Sequence, residues 1–327
     1  VKLAVIGGGA WGTALGALAA SEGEAVTLWA REPEIVAEIN VRHENPVFLP
    51  GITLPPSLKA SADLEAVSEA EILLLACPAQ HLRSVLTGLG SGLKPGTILV
   101  NCAKGIERGS DALLTEIIGE IAGHCVPAVL SGPSFAQEVA HGLPTAVTLA
   151  IEDQAIGRAL AQRLSRPSFR PYLSDDLIGA QIGGAVKNVL AIACGIAEGS
   201  GLGQSARAAL ITRGFAEMLR FALARGARAE TLHGLSGLGD LVLTCSSEKS
   251  RNFSLGLALG RGGSADALLG ARNSVAEGAF TASALIDLAM QQGIDMPICA
   301  VVDLILKHGL SVAEAIDALM ARPLTQE

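Results

Sequence analysis

The chain has 327 residues, half of them hydrophobic, 17% charged, with a net charge of −8 and a calculated pI near 5.3. That length admits two domains with a substantial buried core, and the acidic balance argues against a nucleic-acid surface. In an acidic protein that binds anionic ligands, positive charge must be concentrated locally, so single Lys and Arg positions carry information.

The first 31 residues hold the strongest local signal. Lys2-Leu3-Ala4-Val5-Ile6 reads as a strand, Gly7-Gly8-Gly9-Ala10-Trp11-Gly12 fits G-x-G-x-x-G, Thr13 to Ser21 reads as an Ala-rich helix, and Ala25 to Ala30 as a second strand. Strand, glycine turn, helix and strand in that order make a dinucleotide-binding unit. Gly7 permits the tight turn, Gly9 lets backbone N–H groups approach a pyrophosphate, Gly12 lets the helix pack on the strand, and the helix N-terminus offers unpaired donors. The second strand ends Leu28-Trp29-Ala30-Arg31-Glu32. Ala30 stands where an NAD-preferring unit carries an acid, and the guanidinium of Arg31 suits a 2′-phosphate. This favours NADP(H) and leaves NAD(H) open, since Glu32 can be read as the acid one or two residues late and Arg31 as a solvated strand-end charge.

Pro33 to Val41 reads as a helix running into Arg42-His43-Glu44-Asn45-Pro46-Val47-Phe48-Leu49-Pro50-Gly51. This loop is too long for a simple connection and is expected close to the ligand. Apolar strands follow at Glu71 to Ala76, Thr97 to Asn101 and Val126 to Leu130, each succeeded by a loop and a helix, as in a buried parallel sheet. Thr145 to Ile151 and Ser168 to Leu173 read as two more strands, antiparallel at the far end. Beyond Ser174-Asp175-Asp176 only helical segments remain: Leu177 to Glu198, Ser205 to Arg225, Phe253 to Leu259, Thr281 to Gln292, Ile298 to His308 and Val312 to Met320. The expected architecture is an α/β domain with a mostly parallel, doubly wound sheet over residues 1–178, then an all-α domain over residues 179–327. The ligand cleft is expected between them, at the carboxyl ends of the strands. No run of about 18 apolar residues is found, so no membrane span is expected. The apolar start breaks into glycines by Gly7, so no secretory leader is expected. The six cysteines form no Cys-x-x-Cys pair and no metal spacing, which reads as reduced core thiols in a cytoplasmic protein without a metal site.

Lys187 is the only charged residue from Leu177 to Ala197. Burial lowers a lysine's pKa and suits it to proton transfer, although a lysine can also snorkel its head to solvent. Lys104 lies in a loop after a strand, and Gly132-Pro133-Ser134-Phe135 offers a hydroxyl and backbone donors where another strand ends. Asp240, in Leu238-Gly239-Asp240-Leu241, can orient an ammonium group or serve as a helix N-cap. Ser250-Arg251-Asn252, before a helix beginning near Phe253, reads as a phosphate site or as a capping Asn beside a surface Arg.

Taken in order, these stretches resemble the bacterial NAD(P)-dependent glycerol-3-phosphate dehydrogenases. The matching segments are Gly7 to Ala14, Ala103-Lys104-Gly105-Ile106, Ser131 to Ala136, Lys187-Asn188-Val189, Gly237 to Leu241, Ser250-Arg251-Asn252 and Val275-Ala276-Glu277-Gly278. The resemblance implies a Rossmann-type domain and reversible hydride transfer between NAD(P)H and C2 of dihydroxyacetone phosphate, giving sn-glycerol 3-phosphate for phospholipid synthesis. It implies Lys187 as general acid/base, Lys104 in contact with substrate and cofactor, and substrate contacts at Gly132, Ser134, Asp240, Ser250, Arg251 and Asn252. Cofactor contacts are implied at Trp11, Arg31, Ala136, Arg251, Val275 and Glu277, beside Gly7, Gly9, Ala10 and Gly12 of the turn. Phe48 stands where tyrosine is frequent, at a position expected to touch the cofactor, and Ser205 where asparagine is frequent. The alternatives are a 2- or 3-hydroxyacid dehydrogenase on the same plan, or an NAD(P)H-sensing protein without turnover. Oligomeric state is not legible here, a homodimer being one option.

Overall fold

The computed structural model of the chain describes residues 2–270 and 276–323. Its strands are β1 (Leu3–Ile6), β2 (Val26–Trp29), β3 (Leu58–Ser61), β4 (Ile72–Leu75), β5 (Ile98–Asn101), β6 (Val126–Ser131), β7 (Thr145–Ala150) and β8 (Phe169–Ser174). Helices α1 (Ala10–Ala20), α2 (Pro33–Arg42), α3 (Leu82–Leu89), α4 (Leu114–Ala122), α5 (Ala136–Ala140) and α6 (Gln154–Leu164) alternate with them. There follow α7 (Leu177–Gly199), α8 (Gly203–Ala224), α9 (Ala229–His233), α10 (Asp240–Cys245), α11 (Arg251–Gly260), α12 (Ala265–Gly270), α13 (Glu277–Gln291), α14 (Pro297–His308) and α15 (Val312–Met320). The described chain forms two compact units, Val1–Lys104 with Ala112–Gln181, and Gly105–Asp111 with Ile182–Glu327.

The first unit is an eight-stranded sheet in the order β3-β2-β1-β4-β5-β6-β7-β8. All neighbours are parallel except β6 and β7, so β7 and β8 run against the rest, as expected. The continuous apolar runs of β1 and β4 follow from burial on both faces. Leu3, Val5, Ile72 and Leu74 enter one core, while Ala4, Ile6, Leu73 and Leu75 enter the other.

Some expectations need correction. No strand was expected between Arg31 and Glu71, yet β3 pairs with β2 there. It is a short edge strand whose Leu58 and Ala60 are buried while Lys59 is exposed, too brief and too polar to register as an apolar run. Helix α1 begins at Ala10 rather than Thr13, because the Thr13 N–H already closes a turn onto the Gly9 carbonyl at 3.0 Å. Leu177–Gly199 is long and apolar enough by composition to cross a membrane, but 94% of its apolar window is buried within the protein, in keeping with the expectation of no membrane span. Its apolarity is that of a core helix.

The expected boundary at 178/179 falls inside α7. The first turn of that helix belongs with the sheet, where Leu177 and Ala180 pack on Val129 and Ala150. There the Gln181 amide also donates to Thr115 Oγ1 at 2.7 Å and accepts the Thr115 N–H at 2.9 Å.

In the second unit, α7 and α11 pack backbone to backbone. A Cβ on Gly256 would lie 2.1 Å from the Ile192 carbonyl oxygen, and one on Gly195 would lie 2.1 Å from that of Phe253. Any larger residue would push apart the helices that carry Lys187 and Arg251. The short segment Gly105–Asp111 is part of this unit, with the Arg108 guanidinium 5.6 Å from the centre of the Phe280 ring.

Candidate active site

The glycine turn is built as the first unit requires. Gly7 has φ +120°, its N–H donates to the Trp29 carbonyl at 2.9 Å, and a Cβ there would lie 2.8 Å from the Ala76 backbone. Only glycine meets both demands. Gly12 lies so close under the turn that a Cβ would lie 1.9 Å from the Gly7 oxygen, whereas one on Gly9 would meet nothing within 4 Å. The N-terminus of α1 has no side-chain cap and no acid in its first turn. The Trp11 indole N–H is buried without a hydrogen-bond partner among the described residues. An uncapped helix start, open room at Gly9 and an orphaned donor beside them fit a dinucleotide pyrophosphate. Ala10, Trp11, Phe48 and Ala136 rest partly buried against one core.

At the end of β2, Ala30 is fully buried and Arg31 is exposed, with its Nη2 2.9 Å from Glu32 Oε1. The two residues read from sequence as rival determinants of the ribose contact are thus an exposed ion pair, worth about 0–1 kcal/mol and easily exchanged for a ligand. Lys104 Nζ and the Ser134 hydroxyl both donate to the Gly132 carbonyl, at 3.1 and 3.0 Å. Lys104, Gly132 and Ser134 therefore form one cluster at the ends of β5 and β6.

Lys187 is 7% exposed in the second unit and does not snorkel. Its Nζ donates to Asp240 Oδ1 and to Thr244 Oγ1, each at 2.7 Å. Thr244 in turn donates to Asp240 Oδ1 at 3.3 Å. The local cause is a π-turn, Leu235–Gly239, ahead of α10, in which a Cβ on Gly237 would lie 2.0 Å from the Leu232 oxygen. Gly239, not Asp240, is the N-cap of α10, which leaves the Asp240 carboxylate, 1% exposed, to the lysine. Such turns recur at functional sites. Thr244 was missed in the sequence, although its i,i+4 spacing from Asp240 was a readable signal. Burial, with the neighbouring Cys194 thiol, pushes the Cys245 thiol well above its ordinary range.

Helix α11 starts at Arg251 rather than near Phe253, because Ser250 is its N-cap and accepts the Phe253 N–H at 3.2 Å. Asn252 is buried and accepts the Gly278 N–H at 3.0 Å, linking the starts of α11 and α13. Arg251 is exposed. Glu277 opens α13, and Val275 lies outside the described residues. Among the described residues, no group of three or more His, Cys, Asp or Glu is placed to hold a metal ion. All six cysteines are free and buried.

Two family models match the chain. The N-terminal model of NAD-dependent glycerol-3-phosphate dehydrogenase covers residues 2–157, and the C-terminal model covers 176–317. The glycerol-3-phosphate dehydrogenase [NAD(P)+] of Parvibaculum lavamentivorans is 56% identical over 100% of this chain and 98% of its own. That of Caulobacter vibrioides is 57% identical with the same coverage. The crystal structure of glycerol-3-phosphate dehydrogenase from Coxiella burnetii superposes with a TM-score of 0.94 at 40% identity, covering 98% of this chain and 99% of that one.

Proposed function

The chain belongs to the NAD-dependent glycerol-3-phosphate dehydrogenase family, and from that membership and the site geometry we propose that it reversibly reduces dihydroxyacetone phosphate to sn-glycerol 3-phosphate for glycerophospholipid synthesis. The nicotinamide cofactor supplies the hydride when bound. The observation that carries our assignment of the remaining chemistry is the buried cluster of Lys187, Asp240 and Thr244. Lys187 Nζ gives the proton that the C2 oxygen gains on reduction and recovers it in the reverse direction. Asp240 balances the ammonium charge where burial would otherwise expel it, and with Thr244 it fixes the direction of the Nζ protons. From the family resemblance, Lys104, Gly132 and Ser134 are assigned as substrate contacts, as are Ser250, Arg251 and Asn252, with Arg251 on the phosphate.

We assign the cofactor to the glycine turn, with Phe48, Ala136, Val275 and Glu277 as further contacts, and NADP(H) as the preferred form. Supporting this preference are the guanidinium of Arg31 at the strand end and the absence of an acid at Ala30. A cytoplasmic setting fits six free, buried thiols, and sedimentation of the purified protein reads whether it is a homodimer.

Steady-state oxidation of NADPH and NADH with dihydroxyacetone phosphate, and separately with 2-keto acids, tests the reading. Dihydroxyacetone phosphate should be the substrate, and Arg31→Ala should weaken NADPH roughly tenfold while sparing NADH. A keto acid as the better substrate would make the chain a hydroxyacid dehydrogenase, and cofactor binding without turnover would make it a sensor. Equal losses for both cofactors would take Arg31 away from the 2′-phosphate.

A further inference from the structure

The loop after α2 carries one side chain that reaches the dinucleotide turn. Asn45 is fully buried, and its Nδ2 donates to the Gly8 carbonyl and to Thr13 Oγ1, both at 2.8 Å. Thr13, also fully buried, donates its own hydroxyl to the Gly8 carbonyl at 3.3 Å. The other end of the Asn45 amide is equally engaged, Oδ1 accepting the Phe48 N–H at 3.1 Å. The backbone carbonyl of Asn45 accepts the Leu49 N–H at 2.9 Å. The loop is therefore folded around this one residue, and the residue is fastened to the second glycine of the turn.

A trans peptide carries its C=O and N–H on opposite sides. Two donors holding the Gly8 oxygen inward therefore turn the Gly9 N–H the other way, at the residue where a Cβ would meet nothing within 4 Å. Two adjacent glycines have no side chains to resist rotation of the plane between them, so its orientation must be imposed from outside. We propose that Asn45, with Thr13, is a positioning residue that locks the Gly8–Gly9 peptide plane in the orientation that presents the Gly9 N–H to the pyrophosphate of the cofactor. Neither side chain touches the reacting atoms. Their contribution is preorganisation, which lowers the cost of binding without adding a contact. The proposal rests on the dinucleotide reading of the turn.

The test measures binding of NADPH, ADP-ribose and adenosine to the unaltered protein, Asn45→Asp, Asn45→Ala, Thr13→Val and Thr13→Ser. Asn45→Asp keeps the shape and the acceptor for Phe48 but cannot donate to Gly8. We expect Asn45→Asp and Asn45→Ala to weaken NADPH and ADP-ribose about tenfold, the scale of one lost buried hydrogen bond with its orphaned partner. Adenosine, which has no pyrophosphate, should bind unchanged, and the loss in turnover should appear in KM for the cofactor rather than in kcat. Thr13→Ser should retain affinity and Thr13→Val should not. A lowered melting temperature with unchanged ratios of ADP-ribose to adenosine binding would overturn the proposal, since a packing role alone moves stability only. Should the Asn45 variants fail to fold, equal affinities for Thr13→Ser and Thr13→Val would overturn it, and a difference between them would support it. Failure of the underlying reading looks different, as the unaltered protein would then not bind ADP-ribose.

Discussion

Opposite charges at Lys187 and Asp240 lie 2.7 Å apart with 8% and 1% of their side chains exposed. Burying both groups gains little stability over an apolar pair, while removing one leaves the other uncompensated at a cost of about 3–5 kcal/mol. Such a pair is poorly explained by stability alone and better explained by chemistry at the ammonium. Arg251 is exposed, at the first residue of a helix whose N-cap, Ser250, accepts the Phe253 N–H. The role proposed for it is to hold the substrate phosphate. Arg251→Ala should lower kcat/KM for dihydroxyacetone phosphate roughly ten- to a hundredfold, the scale of a charged hydrogen bond. Unphosphorylated dihydroxyacetone should be turned over equally by both proteins. Parallel losses with the two ketones would place the phosphate elsewhere. At this scale the isolated Lys187 and the nearby acid were legible in the sequence, because charges stand out in apolar surroundings. Asn45 was not, because its partner is 37 positions away and nothing local to an Asn-Pro loop marks it as a donor to Gly8.

Elements are held in place by devices that the sequence pattern only partly discloses. The apolar runs of β1 and β4 were readable because both faces are buried, whereas β3 was hidden by Lys59 and Ser61 on an edge. Helix starts shifted by two or three residues, at Gly9 where the backbone closed a turn without a side-chain cap and at Ser250 where the cap lies ahead of the apolar spacing. Glu217 shows a device of tertiary origin. Projecting from α8 and 2% exposed, it accepts the N–H groups of Ile298 and Cys299 at 2.8 and 3.1 Å, so that one helix caps the start of another. Burial pushes its carboxyl up, against the pull of those two N–H groups. A carboxyl raised in the folded state contributes stability that is complete below its unfolded pKa, about 4.3, and is lost as pH rises through the folded value. Glu217→Gln should destabilise by about 1–3 kcal/mol, since one N–H loses its acceptor. That cost should shrink as pH rises from about 4.5 towards neutrality. Urea unfolding of both proteins across this range checks it. A cost growing with pH would show that the helix N-terminus outweighs burial.

For the whole molecule, the α/β unit followed by a helical unit was legible because periodicity changes near Asp175, from short apolar runs to helical spacing. The exact division was not, since α7 is one uninterrupted helix with its first turn fastened to Thr115 and its remainder in the second unit. The segment Gly105–Asp111 belongs with the later unit although it lies between two elements of the earlier one. Such exchanges depend on contacts between distant positions, to which local patterns are blind. The dinucleotide turn belongs to the first unit and Lys187 to the second. A substitution at Lys187 can therefore separate proton donation from cofactor binding. The decisive measurement is kcat for NADPH-dependent reduction of dihydroxyacetone phosphate by Lys187→Ala and Lys187→Arg, alongside their affinities for NADPH. Both variants should bind NADPH as the unaltered protein does, and Lys187→Ala should turn over about 10²- to 10⁴-fold more slowly. Lys187→Arg should not recover the rate, because a guanidinium does not release its proton at working pH. Near-normal turnover by either variant would contradict the assignment of Lys187 as the proton donor.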